Sequence, residues 1–457
     1  MRGEKEGKIR RIAAILMFVV LAIILGFGNV SAQVPKDKPL KKFKMEYRGS
    51  LKNESRYYKL SNSSILNPKN SILELDNYSN IISFNLFSNI GWGDILNGHI
   101  NLHAFYDNTE HDSLDDIEIK LNELSLNFSP KEYIELTVGK RIFRWGTGYA
   151  WNPTGVAEPV KNPRDPSDRL ETSSGLEMVE VRTYLGSSTL EVVALPDSDF
   201  AKWDTTEWVG KIYSFVEGFD LALITKIAKE EKNLIGFNFS KVIGNNLELH
   251  GEIVGKKGSE NLYLETKSNE YESSPGSGMW IPAIYEFSQS KKDEHSPCYR
   301  FVLGSHYTFL NGINMCIEYY HNDEGYNDSE WQESIEYLKY SNKILGNPKY
   351  LPIDGKDAGE VYLLQANANL DKLTGVRQNY LFFRGYFPRL GKRGDFEILF
   401  INCLDDGSSI LVPTFTYNLL PNLGIYLTSD IFLGDDESEF GLLYSDYTLA
   451  LGLRLYF

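Results

Sequence analysis

The last eleven residues alternate strictly. Tyr447, Leu449, Leu451, Leu453, Leu455 and Phe457 hold the odd positions, and Thr448, Ala450, Gly452, Arg454 and Tyr456 the even ones. Successive side chains of a strand point to opposite faces, so this segment reads as a strand with one wholly apolar face. Eleven tilted residues also match a strand that crosses a bilayer. The period of two recurs. Leu247, Leu249, Gly251 and Ile253 oppose Glu248, His250 and Glu252, while Val179, Val181, Thr183 and Leu185 oppose Glu180, Arg182 and Tyr184. Ile313, Met315, Ile317 and Tyr319 oppose Asn314, Cys316, Glu318 and Tyr320. Ile425, Leu427 and Ile431 oppose Tyr426, Thr428 and Asp430.

About 18 such strands can be placed, centred near residues 45, 85, 104, 125, 138, 182, 192, 212, 223, 237, 250, 305, 317, 383, 399, 415, 428 and 452. Short links fall at Gly91–Gly98, Ser129–Glu132, Gly186–Ser188, Glu217–Phe219, Ile243–Asn246, Leu310–Gly312, Leu390–Asp395 and Leu420–Asn422. Long ones fall at Tyr149–Gly175, Gly255–Arg300, His321–Gln378 and Leu433–Asp446. Short turns on one side and long loops on the other are the layout of a membrane barrel. In lipid each unpaired backbone group costs several kcal/mol, so such a sheet must close on itself. The expected fold is therefore all-β: a transmembrane antiparallel up-and-down barrel of 16–18 strands over residues 33–457, with short periplasmic turns and long extracellular loops. Pro413 lies inside a candidate strand and should mark a bulge or a strand end. Within the two longest loops, 255–300 and 321–378, Glu330 to Tyr340 and Val361 to Leu373 are expected to form helices.

The N-terminus sets the compartment. Arg2, Lys5, Lys8, Arg10 and Arg11 precede an uncharged, mostly apolar run from Ile12 to Gly28, then Val30-Ser31-Ala32. This is the layout of a secretory signal peptide over residues 1–32, cleaved before Gln33. An uncleaved anchor is the alternative, since the run is near the minimum for a span. Three cysteines, Cys298, Cys316 and Cys403, are too few and too widely spaced for a disulfide scaffold, and free thiols are expected. The net charge of −15 disfavours nucleic acid as a partner. The 28 Tyr and 25 Phe suit two aromatic girdles at the membrane interfaces.

Two stretches carry resemblances. Gly452, Leu455 and the terminal Phe457, with Arg454 and Tyr456 between, resemble the C-terminal signal by which bacterial outer-membrane barrels are recognised for assembly. Residues Val138 to Gly175 read VGKRIFRWGTGYAWNPTGVAEPVKNPRDPSDRLETSSG. The RWGxG, NPT and NPRDP runs resemble a loop of porin-like barrels in the alginate-export and related long-barrel families. The resemblance implies an outer-membrane channel of roughly 16–18 strands. It implies no particular sugar. The implied partners are outer-membrane lipid and lipopolysaccharide, the barrel-assembly machinery and small solutes.

Read from its residues, the stretch has Gly146 and Gly148 ending a strand, and Pro153, Pro159, Pro163 and Pro166 forbidding regular structure. Trp145, Tyr149 and Trp151 supply apolar anchors. Lys161, Arg164 and Arg169 alternate with Asp165, Asp168 and Glu171. Such a loop either folds into the lumen as a constriction or stays outside, tied down by its own ion pairs. Candidate constriction residues are Arg141, Arg144, Trp145, Asn152, Arg164, Asp165, Asp168 and Arg169. Candidate lumen-lining residues are Glu180, Arg182, Glu248, His250, Glu252, Glu318, Arg384, Asp430 and Arg454. Charged rings select ions, so an acidic lumen favours cations. The cluster Arg141, Arg144, Arg164 and Arg169 would instead grip carboxylates or phosphates. Pairing of the charges across the wall is the structural alternative. The acidic loop Asp435, Asp436, Glu437 and Glu439 lacks EF-hand spacing and reads as solvated.

No HExxH, GxSxG, glycine-rich phosphate loop or paired-cysteine metal motif is present. No catalytic residue, cofactor or metal is therefore expected. Passive diffusion of small hydrophilic or charged solutes is the leading function. A plugged, polysaccharide-organising surface barrel is the alternative. A barrel hydrolase is a second, and it requires a Ser or Asp beside His103, His250 or His306.

Overall fold

The computed structural model describes residues 43–457 apart from 94, 109–116, 197–205, 230–231, 260, 267–284, 289–295, 371 and 373–374. The export segment expected at 1–32 lies outside the described residues. Eighteen strands form one sheet in which each strand pairs antiparallel with its neighbour in sequence order. The sheet closes where the first strand, Phe43–Leu60, pairs with the last, Ser445–Tyr456, in the register Leu51 to Leu455 and Tyr57 to Leu449. Closure removes both edges, so no ladder of backbone groups faces lipid. All eighteen expected strand centres fall inside these strands.

Alternation sorts the side chains. On the last strand Leu449, Leu451 and Leu453 are 43–58% exposed, whereas Ala450 is 1% exposed and Gly452 is buried. The same holds along Leu247–Lys257, where Ile253 faces out and His250 and Glu252 are buried inside. Exposed Trp92, Tyr133, Phe215, Phe309 and Tyr456 ring the end at which both strand termini lie, and Tyr78, Trp208, Tyr299 and Tyr447 ring the other. The two rings are the expected girdles. The connections at the termini end are short turns, and most of those at the opposite end are longer. Pro413 departs from expectation. Its strand, Ser409–Leu420, runs through it, with Pro413 opposite Ile398 on one side. On the other side pairing lapses between Leu411 and Thr414 without a change of register, because proline has no N–H to give.

The loops at the far end share an apolar core of their own. Helices α1 (Asp328–Ile344) and α2 (Ala358–Leu370) lie within the loop between the strands ending at Asn322 and beginning at Asn379. A capping box of Asn327 and Glu330 starts α1. Trp331, Ile335 and Leu338 of α1 bury against Leu363 and Ala366 of α2, with Leu66, Tyr263 and Leu442 from three further loops. Beside this core sits Glu439, which is 6% exposed and accepts hydrogen bonds from the Tyr380 hydroxyl at 2.7 Å and Val376 N–H at 2.9 Å. The acidic loop is therefore not uniformly solvated. Burial outweighs these hydrogen bonds and pushes the Glu439 carboxyl from 4.5 up to about 7. A carboxyl raised on folding stabilises the loop core fully below about pH 4.5, and that contribution is lost as pH rises through about 7. Limited proteolysis of the 434–444 loop should accordingly quicken from pH 5 to pH 8, and Glu439→Gln should abolish that dependence.

Candidate functional site: a loop across the lumen

The strand Ile134–Arg141 ends where the Glu123 side chain accepts the Ile142 N–H at 3.0 Å. The loop starts there rather than at Gly146 or Gly148. It runs without regular structure to Gly175, whose N–H returns to the Asn122 carbonyl at 2.9 Å. A proline-rich segment cannot satisfy its own N–H groups, and each one that is buried needs an acceptor. Three carboxylates supply them. Glu158, inside the loop, accepts from Trp145 and Gly146 N–H and from the Asn152 amide. Glu252, on the wall, accepts from Gly148 N–H at 2.6 Å, Thr154 N–H at 2.8 Å and the Thr154 hydroxyl at 2.7 Å. Glu318 accepts from Tyr149 N–H at 2.5 Å, Ala150 N–H at 2.9 Å and His250 Nε2 at 2.8 Å. Glu252 is 3% exposed and Glu318 is 0%. Carboxylates so deeply buried persist only with such charge-assisted bonds. Glycine is required at 148, where a Cβ would stand 2.1 Å from the Trp151 carbonyl oxygen.

Aromatic rings fix the rest of this half. Trp151 stacks on Tyr320 at 4.8 Å between centroids, and Trp145 Nε1 donates to Glu191 at 3.0 Å. The Asn238 amide donates to the Trp145 carbonyl and to Thr154. The second half meets the opposite wall. Lys52 pairs with Glu171 at 3.0 Å, Ser83 donates to the Leu170 carbonyl at 2.9 Å, and Arg169 donates to Thr428 at 3.0 Å. The loop thus touches strands around the whole circumference. It is not held by the alternating charges of its own sequence. Among the described residues only Arg169 with Asp165, at 3.4 Å, forms an ion pair within it, while Lys161 reaches the Gly148 carbonyl and Asp168 caps Thr172 and Ser173 N–H. Burial raises the Asp168 carboxyl, but the hydrogen bonds from Ser173 and Thr172 outweigh it and hold it below the usual range. At Asp165 burial prevails over Arg169, and the carboxyl is raised.

Two cavities flank the loop. The larger, about 620 Å³, opens among Arg56, Arg144, Arg164, Asp165, Asp430 and Phe432 toward the long-loop end. The smaller, about 390 Å³, lies toward the termini end among Arg141, Arg144, Arg182, Glu191 and Lys211. Both are lined by Ile142, Phe143 and Arg144. Arg144 is exposed, and among the described residues no carboxylate forms an ion pair with it.

The remaining candidates face inward but are mostly paired. Arg182 bridges Glu180 at 2.7 Å, Glu191 at 3.3 Å and Glu135 at 3.4 Å, and Arg141 reaches Glu180 at 3.3 Å. Arg384 pairs with Glu397, and Arg454 lies over the Tyr426 ring. Glu248 sits in register with His306. Reading the residues alone missed Glu158, Lys52, Asn238 and Lys211. Only Lys52 left a signal, since Ser50, Lys52, Glu54 and Arg56 alternate on one face of their strand.

A serine does stand beside one histidine, with Ser83 Oγ 3.2 Å from His103 Nε2. The hydroxyl is spent on the Leu170 carbonyl, and His103 Nδ1 is buried without a partner. Among the described residues no carboxylate is hydrogen-bonded to His103 to complete a triad there. The three cysteines are buried and form no disulfide among the described residues.

No protein-family model and no curated protein matches the chain. Among solved structures it is similar to OccK11 (OpdR) of Pseudomonas aeruginosa, at 11% identity, covering 90% of this chain and 95% of that one, with a TM-score of 0.50. OccK5 (OpdH) of the same organism follows at 10% identity, 90% and 98% coverage and a TM-score of 0.48. A Rhodopseudomonas blastica porin mutant gives 9%, 91%, 100% and 0.43. At these identities the likeness is one of fold.

Proposed function

We propose that this chain is a porin-like channel of the outer membrane that passes small hydrophilic solutes by passive diffusion, with anions favoured at Arg144. One observation carries the reading: the two cavities on either side of the lumen loop share the Arg144 segment. A solute moving between them passes an unpaired guanidinium. Arg141, Arg182 and Lys211 also line the smaller cavity, but Glu135, Glu180 and Glu191 pair with them, which leaves Arg144 as the uncompensated charge. Local basic charge of this kind selects anions, whatever the net charge of −15 on the whole chain. The loop between residues 142 and 175 is then the constriction, and Arg164 borders the approach to it. Export by residues 1–32, assembly through the last strand, and a wall set in lipid and lipopolysaccharide belong to the same reading.

Reconstitution in planar bilayers tests it. Discrete conductance steps are expected, with a reversal potential in a KCl gradient that reports anion preference. Arg144→Ala should cut the anion-to-cation permeability ratio about fivefold, since one charge at a few ångströms in a wet pore is worth on the order of 1 kcal/mol. Folded protein that gives no steps would overturn the channel reading in favour of a plugged surface barrel, to which the apolar loop core over the mouth would then belong.

A further inference from the structure

Two rows of side chains on the inner wall use chemistry that diffusion does not need. Across three adjacent strands, His250, Gly304 and Glu318 stand directly opposite one another, and in the next row toward the termini end so do Glu248, His306 and Cys316. Gly304 is what lets the first row work. A Cβ there would lie 2.5 Å from His250 Nε2 and 2.7 Å from Glu318 Cγ, so these two side chains meet over a strand that presents no side chain of its own. His250 Nε2 lies 2.8 Å from Glu318 Oε1. The His306 ring lies 5.4 Å from that of His250, and one ligand atom from each of His250, His306 and Glu318 falls within 4.8 Å of the others.

From this geometry we infer that His250, His306 and Glu318 form a binding site for a divalent transition metal of the zinc or cobalt kind. Two imidazoles with one carboxylate are a three-ligand set that leaves a coordination position open. Nitrogen donors select borderline metals over Mg²⁺ and Ca²⁺, which take oxygen. Donors on one ion at bonds of about 2.0–2.2 Å stand roughly 3.4 Å apart, so His250 Nε2 and Glu318 Oε1, now 2.8 Å apart, would open slightly while the third donor closes in. Most of the required movement falls to His306, which is only partly buried. The carboxylate keeps enough lone pairs for both the metal and its two loop N–H groups. A bound ion would therefore sit at the foot of the lumen loop, on the residue that carries Tyr149 and Ala150.

The test is Co²⁺ titration of the full-length, tag-free barrel in detergent, followed by visible absorption and by calorimetry. One equivalent should bind, give the absorption of a low-coordinate cobalt centre, and be displaced by Zn²⁺. His306 contacts its neighbours only through ring packing, so His306→Ala should keep the heat-modifiable gel migration of a folded barrel yet weaken binding roughly a hundredfold or more, as loss of a ligand should. His306→Gln serves if the alanine variant does not fold. Failure of the wild type to take up Co²⁺ at micromolar concentration would overturn the site, as would a folded His306 variant that binds as tightly as wild type. Neither result depends on conductance, so the channel reading stands or falls separately.

Discussion

Replacing Glu252 and Glu318 together by alanine should at least about double the single-channel conductance and make it noisy. Between them these carboxylates accept the N–H groups of Thr147, Gly148, Tyr149, Ala150 and Thr154. Each buried donor left unmet costs about 1–3 kcal/mol. Five such penalties exceed what the loop's ring contacts can offset, so the segment around 147–154 should leave the wall and widen the path beside it. The barrel itself should survive, because its backbone ladder closes independently of the loop. Heat-modifiable migration of the variant checks that. The single substitutions separate the two anchors. Glu318→Gln retains an acceptor oxygen for one loop N–H and should have the milder effect. A double alanine variant that folds and conducts like wild type would show that Trp151 on Tyr320 and Trp145 on Glu191 hold the loop unaided.

These anchors explain what could and could not be read from the residues. Strand centres were legible because lipid on one side and water on the other impose a period of two that local sequence must obey. The helices of the long loop were legible from their polarity. Loop geometry was not. Residues 142–175 look self-paired in sequence, where Arg164, Asp165, Asp168 and Arg169 stand close together. Their real partners, Lys52, Glu252, Glu318 and Thr428, lie up to hundreds of residues away and meet the loop only once the sheet has closed. Glu252 and Glu318 were visible as inward carboxylates, but their role as acceptors for a proline-rich backbone was not. The same closure hides the 250–306–318 cluster, whose members are neighbours only across strands.

Closure also decides the second large effect. Phe457→Ser should lower the folded yield severely, and Gly49→Val should do the same without touching the C-terminus. Phe457 exchanges both backbone hydrogen bonds with Gly49, at 2.9 and 3.1 Å, and its ring stacks on Phe84 at 6.2 Å. A Cβ on Gly49 would stand 2.2 Å from Phe457 Cζ and 2.9 Å from the Asn85 carbonyl oxygen, so a valine must expel the ring. Losing a packed phenylalanine ring costs about 3 kcal/mol or more, and here the loss falls on the seam that joins first strand to last. Gly452 has a similar reason to be glycine, since a Cβ there would lie 2.0 Å from the Tyr426 ring, whose hydroxyl donates to buried Glu54 at 2.6 Å. The C-terminal residues therefore have a physical role besides any role as a linear signal, and the two can be told apart. If the seam governs, Gly49→Val and Phe457→Ser each slow refolding of purified protein into lipid, and the double variant is little worse than either, because both remove one contact. If Phe457 acts only as a signal for the assembly machinery, Gly49→Val inserts normally in cells and Phe457→Ser refolds normally in purified lipid.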